Sequence, residues 1–454
     1  MKKINSAFIS VFSKDGIEPL IQKLNELDVK IYSTGGTYEY IRKQNIEAIS
    51  VEDITDFPSI LGGRVKTLHP KIFGGILYRR DNESDITEKE KYNFPSFDLV
   101  VVDLYPFEKT VQKTDNEAEI IEKIDIGGIS LIRAAAKNFR DVVVVPSSDD
   151  YSALLEILEQ NKGFTSLEQR RKFAARAFCV SSHYDTKIFE YFNKPAEISC
   201  FKQSIIEHTP LRYGENPHQS AYFYGDIEDY FTQLNGKDIS YNNMLDIDSA
   251  IALISDFTEP TIAIIKHNNA CGIASRDKLV DAWKDALASD PVSAYGGIII
   301  SNTEIDESTA SEINNLFFEI IIAPSYEKNA IELLKTKKNR IILQRKDFVL
   351  NDLQFRTVLN GVIEQKRDIM VETPDMLNVV TKISPTAEQI EDLLFANKIV
   401  KHTKSNAIVL VKNKQMLSSG VGQTSRVDAL KQAVSKAKQF GFSLKGAVMA
   451  SDAF

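Results

Sequence analysis

The strongest constraint on the fold is an alternation of short β-branched runs with amphipathic helical stretches through the first 150 residues. Strand-like runs at 7–11, 29–33, 99–104 and 142–145 alternate with helical patterns at 16–27 and after Thr37. Such an alternation predicts an α/β unit of the doubly wound kind with a largely parallel sheet. A long helical stretch at 166–192, rich in Ala, Arg and Phe, closes this unit. The segment Asn193-Lys-Pro-Ala-Glu-Ile-Ser-Cys200 breaks the pattern, so the expected domains are 1–195 and 201–454. The second is α/β as well, with strands expected at 262–265, 297–301, 319–323 and 407–411. Its helices are expected at 247–256, 278–289, 386–401 and 426–440. No short-period repeat or low-complexity tract is visible.

Composition narrows the function classes. The chain has 454 residues, a net charge of -8 and no basic block, which argues against a nucleic-acid partner, because phosphate-backbone binding relies on clustered Lys and Arg. Cys179, Cys200 and Cys271 are the three cysteines. They are widely spaced and odd in number, giving neither a disulfide framework nor a zinc pattern, and fit a reducing cytoplasm. No apolar run approaches the ~18 residues of a membrane-spanning helix, and no targeting segment or membrane partner is expected.

Chemistry concentrates in a few runs. In Thr261-Ile-Ala-Ile-Ile-Lys266-His267-Asn268-Asn269-Ala270-Cys271-Gly272, two basic groups end a buried strand. The carboxyl end of an α/β strand is where ligands bind, and desolvation there would lower both pKa values toward the range useful for acid/base work. The alternative is a strand running out into a solvated turn. In the first domain, Thr34-Gly35-Gly36-Thr37 lies between a strand and a helix, where glycines admit a ligand and free helix amides bind phosphate. A simple glycine turn with a Thr cap is the competing reading. Ser10 and Lys14 can face the same crevice.

The run Leu61-Gly62-Gly63-Arg64-Val65-Lys66-Thr67-Leu68-His69-Pro70 reads as an ordered loop. Alternation puts Arg64 and Lys66 on one side, suited to gripping an anion. Tyr105, Asp125 and Lys137 have ordinary explanations as a packed ring, a cap and a surface charge, but fall near strand ends and helix starts, alongside Arg133. Neither a Gly-x-Gly-x-x-Gly fingerprint nor a P-loop is present.

Together, Gly62-Gly-Arg-Val-Lys-Thr-Leu-His-Pro70, Leu104-Tyr-Pro-Phe107, Ile124-Asp-Ile-Gly-Gly128 and Arg133-Ala-Ala-Ala-Lys-Asn138 resemble signature runs of the bifunctional purine-biosynthesis enzymes. That family combines aminoimidazole carboxamide ribonucleotide (AICAR) formyltransferase with inosine monophosphate (IMP) cyclohydrolase. The second half agrees through Leu211-Arg-Tyr-Gly-Glu-Asn-Pro-His-Gln219, Ser240-Tyr-Asn-Asn243, Lys266-His-Asn-Asn-Ala-Cys-Gly272, Asp290-Pro-Val-Ser-Ala-Tyr-Gly-Gly297, Ile321-Ile-Ala-Pro324, Lys404-Ser-Asn406, Gly422-Gln-Thr-Ser-Arg426 and Ser451-Asp-Ala-Phe454. Ala270 stands where bacterial members usually carry proline, and Asp103 where asparagine is usual. The chain stops inside the family's Ser-Asp-Ala-Phe-Phe-Pro-Phe run, so the resemblance leads us to expect an incomplete carboxy-terminal domain with weakened formyl transfer.

The resemblance implies a methylglyoxal-synthase-like first domain and two cytidine-deaminase-like units in the second. The second would transfer a formyl group from 10-formyltetrahydrofolate to AICAR, and the first would close formyl-AICAR to IMP. His267 is implied as base and Lys266 as its partner. Glu319 and Asn406 would orient substrate, Arg212 and Arg426 would hold phosphate, and Tyr213, Asn243, Gly297 and Phe454 fall on matching binding motifs. In the first domain Lys14, Thr34, Gly36 and Thr37 are the phosphate candidates. Lys66, Tyr105, Asp125 and Lys137 remain for proton movement and oxyanion support, with Ser10, Arg64 and Thr67 as positioning groups; acid and base are not distinguished. A Cys271 acyl carrier is a rival to direct transfer. No catalytic metal is expected, since the His-x-Glu and Pro-Cys-x-x-Cys pattern is absent. The family also implies a homodimer. A different class, a regulatory binder of a phosphorylated metabolite without formyltransferase activity, would need the phosphate cradle but not Lys66, Tyr105, Asp125 and Lys137 together.

Overall fold

The computed structural model describes residues 1–58, 60–61 and 65–452, which divide into two compact units, Met1–Ser204 and Ile205–Phe454. In the first, a five-stranded sheet runs in the order Ile49–Ser50, Lys30–Ser33, Ser6–Ser10, Leu99–Val102, Val143–Val145, and every pairing is parallel. The expected doubly wound architecture is therefore present, with strand limits within one or two residues of expectation. The edge strand Ile49–Ser50 was not expected; at two residues it is too short to leave a periodic signal. All four side chains of Leu99–Val102 and all three of Val143–Val145 are buried, as strands covered on both faces require. The chain winds outward from Ser6–Ser10 in one direction, then restarts beside it at Leu99–Val102. This reversal opens a crevice at the carboxyl ends of those two strands.

The helix Leu167–Ala196 closes the unit, opened by a capping box in which Ser166 and Gln169 satisfy each other's backbone amides. Its buried positions include Phe173, Ala174, Ala177, Ser181 and Tyr184, spaced at three and four residues, so one stripe faces the core.

The second unit contains a nine-stranded mixed sheet in the order Phe231–Asn235, Ile341–Arg345, Ile320–Ala323, Ile298–Ser301, Thr261–Lys266, Asn269–Ser275, Gln415–Gly420, Ile408–Lys412, Val448–Ser451. Only Ile298–Ser301 with Ile320–Ala323, and Ile320–Ala323 with Ile341–Arg345, pair in parallel. One pattern occurs twice. Helix Tyr241–Ile254, hairpin Thr261–Lys266 with Asn269–Ser275, helix Leu279–Ser289 and strand Ile298–Ser301 are matched by helix Ala387–Lys401, hairpin Ile408–Lys412 with Gln415–Gly420, helix Arg426–Gln439 and strand Val448–Ser451. The repeats meet through an antiparallel bridge between Ala274 and Gln415. This duplication agrees with the two-unit architecture implied by the family resemblance. The sequence hid it because its period is long and its two copies carry different side chains.

Each hairpin turns through two residues with positive φ, His267 and Asn268 (52° and 62°) or Asn413 and Lys414 (52° and 51°), the backbone shape that matches strand twist in two-residue loops. In each, a glycine of the second strand is pressed against the following helix. A Cβ on Gly272 would lie 1.8 Å from the Ala286 carbonyl oxygen, and one on Gly420 1.9 Å from that of Ala429. Because the obstacle is helix backbone, neither contact can relax by a rotamer change. Gly272→Ala and Gly420→Ala should each destabilise the second unit by about 1–3 kcal/mol or more, measured as a fall in its urea midpoint; an unchanged midpoint would contradict the packing.

Candidate active sites

In the first unit an open cleft of about 530 Å³ lies at the point where strand order reverses. Its lining includes Ser10, Lys14, Thr34, Gly36, Thr37, Lys66, Thr67, Tyr105 and Asp125. Thus most of the residues singled out in this half of the sequence converge, drawn from loops far apart in the chain. Arg64 lies outside the described residues. Lys137 is not brought in: it is exposed at the last position of helix Gly127–Lys137, whereas Asp125 precedes the first. At about 1.5 Å per residue, the helix holds them at opposite ends.

One end of the cleft is built for an anion. Helix Gly35–Lys43 begins there, with Gly35 at φ 53°, and a Cβ on Gly35 would lie 3.1 Å from Lys66 Nζ. The ammonium therefore rests beside the amides of the first helical turn, and Gly36 has open space where a side chain would be. Thr37 is engaged locally, its hydroxyl donating to the Val11 carbonyl at 2.9 Å and accepting from the Val11 amide at 3.1 Å. The Thr34 hydroxyl donates to Glu52 at 3.3 Å. These two hydroxyls shape the cradle, and its donors are the helix amides and the lysines. Lys14 donates to the carbonyls of Val11 and Phe12. Burial pushes its pKa down, the Asp103 charge pulls it back up and Lys66 pushes it down again, with burial the largest of the three.

The other end is acidic and aromatic. Asp125 Oδ1 accepts from the Gly128 amide at 2.6 Å, and a Cβ on Gly128 would fall 2.8 Å from that carboxylate. Burial raises the Asp125 pKa, opposed by the amides of Gly128, Ile129 and Tyr105, and the Asp103 charge adds to the rise. Burial also raises the Tyr105 pKa, reinforced by Asp125, Glu122 and Asp103. The phenol thus stays protonated well above neutrality, while the carboxyl is moved toward the range where it exchanges protons. The ring of Tyr105 meets Phe12 edge-on with centroids 5.3 Å apart, and Lys123 Nζ lies 5.5 Å from its centroid. The Thr67 hydroxyl seats against Gly127, where a Cβ would lie 2.7 Å away.

Asp103, which sequence reasoning registered only as a departure, proves central. It ends strand Leu99–Val102 and accepts from the amides of Phe12 and Ser13, clamping the turn that presents Lys14. Burial raises its pKa, countered by those amides and Lys14. Its position after a buried strand, at the crevice, was the signal available.

In the second unit the candidates line up along one end of the large sheet. Lys266 ends its strand and donates to the Tyr295 carbonyl at 2.7 Å. Gly297 and Glu319 stand at the corresponding ends of the neighbouring strands, joined by a 3.0 Å bond from the Glu319 amide to the Gly297 carbonyl. On the other side Asn269 accepts from the Lys404 amide at 3.1 Å. Asn406 donates to Gln423 at 3.0 Å, and Arg426 Nε lies 3.2 Å from Ser451 Oγ. Glu319 carries a salt bridge to Lys237 at 2.7 Å.

The Lys-His pair differs from the first expectation. Its strand is antiparallel to both neighbours, so the pair leads into a hairpin turn and not into a helix crossover. Lys266 is half-buried and His267 exposed, so the desolvation expected of a buried strand end does not extend to the histidine. The turn is anchored: Asp246, from helix Tyr241–Ile254, accepts from the Asn268 amide at 2.6 Å. Burial raises the Asp246 pKa, against the pull of that amide and of His267 and Lys266. The same helix reaches the remaining candidates. Tyr213 accepts from the Tyr241 amide at 3.2 Å, Arg212 stacks 4.7 Å over the Tyr213 ring, and Asn243 is engaged in a capping box with Ser240, which makes its first role structural. Phe454 lies outside the described residues.

Cys271 is buried, and burial pushes its thiol up to about 12, so at neutral pH it is a thiol and not an acyl-accepting thiolate. Among the described residues no cluster of three or more His, Cys, Asp or Glu side chains could hold a metal, and no helix is long and apolar enough to cross a membrane.

Comparison with known proteins adds family information. Residues 16–130 match the model of the MGS-like domain and residues 135–436 that of the AICARFT/IMPCHase bienzyme. The chain is 59% identical over 453 residues to the bifunctional purine biosynthesis protein PurH of Bacteroides thetaiotaomicron, covering 100% of this chain and 89% of that one. It is 46% identical over 458 residues to PurH of Aquifex aeolicus, covering 99% and 90%. A solved structure titled "Crystal structure of ForH" is 37% identical, covers 42% of this chain and 99% of its own, and superposes with a TM-score of 0.37.

The three thiols give a direct check on these environments. Cys179 and Cys200 are exposed, so a chromogenic disulfide at pH 8 should titrate two thiols in the native chain and the third only after denaturant. Rapid reaction of all three would refute the packing around Cys271.

Proposed function

The chain belongs to the AICARFT/IMPCHase bienzyme family and catalyses the last two steps of IMP formation, and from that premise we propose that ring closure takes place in the Met1–Ser204 unit and formyl transfer in the Ile205–Phe454 unit. The observation that carries the division is the convergence of Lys14, Lys66, Tyr105 and Asp125 on one cleft of the first unit. A binding module would need only the cationic end of that cleft.

For ring closure, the substrate phosphate lies at the first turn of Gly35–Lys43 between Lys14 and Lys66, which directs the base toward Tyr105 and Asp125. The reaction is intramolecular, so holding the carboxamide nitrogen against the formyl carbon supplies much of the acceleration. As the new C–N bond forms, the nitrogen gives a proton to Asp125 while Tyr105 donates toward the formyl oxygen. The resulting hydroxyl then leaves with a proton as water, and the former formamide nitrogen gives up its proton to complete the ring. The raised pKa values of both groups support these roles. Lys66 supports both phosphate binding and oxyanion charge, and Ser10 and Thr67 shape the wall.

For formyl transfer, with 10-formyltetrahydrofolate as cosubstrate, His267 takes the proton of the attacking amine and Lys266 stabilises the tetrahedral oxyanion. The oxyanion then collapses to the carbonyl as the C–N bond to folate breaks, and the departing folate nitrogen takes the proton back from His267. Glu319, Asn406, Arg426, Arg212, Tyr213 and Gly297 position the two substrates. The buried Cys271 thiol supports direct transfer. We further propose a cytoplasmic homodimer. The homodimer is supported by exposed apolar side chains on the hairpin of Leu353–Val358 with Gly361–Lys366, where Leu359 and Ile363 are 101% and 59% exposed and a second copy would cover them.

His267→Ala should lower formyl transfer by about 10²–10⁴ and leave ring closure intact, and Lys66→Ala should do the reverse. Each activity is assayed separately with AICAR plus formyl-folate and with formyl-AICAR. Near-normal formyl transfer in the first variant, or ring closure in the second, would rule out that residue's role; loss of both activities in either would refute the division by unit.

A further inference from the structure

The groups proposed for ring closure are carried on irregular chain. Tyr105 stands in the segment between strand Leu99–Val102 and helix Phe107–Lys113, and Asp125 in the segment between helices Glu117–Ile121 and Gly127–Lys137. Something must hold two loops in register for a proton transfer that depends on tenths of an ångström.

One side chain behind the cleft touches both. Tyr184 projects from helix Leu167–Ala196, is 8% exposed, and places its hydroxyl between two backbone groups of the Asp125 segment. The hydroxyl donates to the Lys123 carbonyl at 2.5 Å and accepts from the Asp125 amide at 2.9 Å. Its ring meets Phe107 edge-on, with centroids 6.2 Å apart and planes at 65°, and Phe107 is two residues beyond Tyr105 and almost fully buried. Tyr184 does not line the cleft itself.

We propose that Tyr184 is a positioning residue for ring closure, fixing the backbone of Asp125 by its hydroxyl and the base of the Tyr105 loop by its ring. The inference rests on the assignment of Asp125 to that reaction. A hydroxyl that donates to residue 123 and accepts from residue 125 sets the orientation of both peptides, and so the direction in which the intervening chain launches the carboxylate. The carboxylate's own bond to the Gly128 amide is 2.6 Å and can be kept only while that direction holds. Removing the hydroxyl leaves a partly buried amide without its acceptor and a carbonyl without its donor, and the segment turns to find water. The phenol is suited to a permanent double role, since burial pushes its pKa up to about 12 and it holds its proton throughout the working range. Lys123, whose carbonyl it anchors, also carries its ammonium to the rings of Phe12 and Tyr105 at 5.6 and 5.5 Å, so the same tether steadies the aromatic wall.

Tyr184→Phe keeps the ring and its contact with Phe107 and removes the hydroxyl alone. Steady-state ring closure with formyl-AICAR, across pH, should show kcat reduced about tenfold with KM within twofold, because the phosphate cradle is untouched. The acid limb of the kcat profile should move to higher pH as the Asp125 carboxylate loses its amide donors. Formyl transfer by the same preparation should be unchanged. A kcat within twofold of wild type would overturn the proposal, as would a loss that tracks the unfolded fraction by circular dichroism with an unshifted pH profile. Asp125→Asn is measured beside it. If that variant closes the ring normally, the assignment of Asp125 has failed; if it is inactive while Tyr184→Phe behaves as wild type, only the role of Tyr184 has.

Discussion

A strand that runs parallel to its neighbour must be followed by a crossover, and in the first unit this requirement governs where chemistry can occur. Each crossover begins at the carboxyl end of a strand, so helix amino termini with unpaired amides collect on one side of the sheet. Where strand order reverses, between Ser6–Ser10 and Leu99–Val102, the crossovers diverge and leave those amides open to a ligand. Lys14 and Lys66 then add charge to a site that the backbone has already made anion-seeking. Burial and the neighbouring Lys66 charge both make the Lys14 ammonium harder to keep, a penalty that a bound phosphate relieves. The sheet topology, and not any single side chain, sets this division of labour.

The second unit solves the same problem without parallel crossovers at its centre. Its Lys266-His267 pair, proposed for formyl transfer, is delivered by a hairpin, and the rigidity of the two-residue turn replaces that of a helix start. His267 and Asn268 both adopt positive φ, which is uncommon for residues with a Cβ and is stabilised here by the bond from the Asn268 amide to Asp246. The corresponding turn of the second repeat, Asn413 and Lys414, has its amides held by Asp392 at 2.8 and 2.7 Å. A carboxylate from the preceding helix thus clamps the turn in both copies: Asp246 from Tyr241–Ile254 in one, Asp392 from Ala387–Lys401 in the other. The fold thus holds two equivalent turns that differ in side chain, Lys266 and His267 in one and Asn413 and Lys414 in the other.

Much of the first unit was legible because its signals are local. Buried β-branched runs such as Leu99–Val102 announce strands, and Ser166 with Gln169 announces the long helix through its capping box. In the second unit the apolar strands Thr261–Lys266, Ile298–Ser301, Ile320–Ala323 and Ile408–Lys412 were equally legible, but other strands of the sheet lack a period of their own. Asn269–Ser275 contains Asn, Cys and Gly in a sequence that reads as a loop, and it becomes a strand by pairing with Thr261–Lys266 across a tight turn. The membership of the first cleft could be read from residue types at strand ends, as for Lys14 and Tyr105. What could not be read was which groups are already engaged. Thr37 and Asn243 look like ligand donors in sequence, and each proves to be engaged within the fold, Thr37 with the backbone of Val11 and Asn243 in the helix cap with Ser240. Lys137 failed for a different reason: proximity in sequence to Asp125 becomes distance once a straight helix separates them.

Asp103 shows how a substitution at such a site can be absorbed. An asparagine there offers one acceptor oxygen and one amide donor, whereas the carboxylate presents two acceptors, and both amides it faces, from Phe12 and Ser13, need one. The added negative charge falls beside Lys14, which offsets it. It also lies close enough to Asp125 and Tyr105 to raise the pKa of each. The cleft therefore grades from cationic at the Gly35–Lys43 terminus to proton-retaining at Asp125, and a substrate with a phosphate at one end and an uncharged reacting centre at the other is the kind of molecule such a gradient orients.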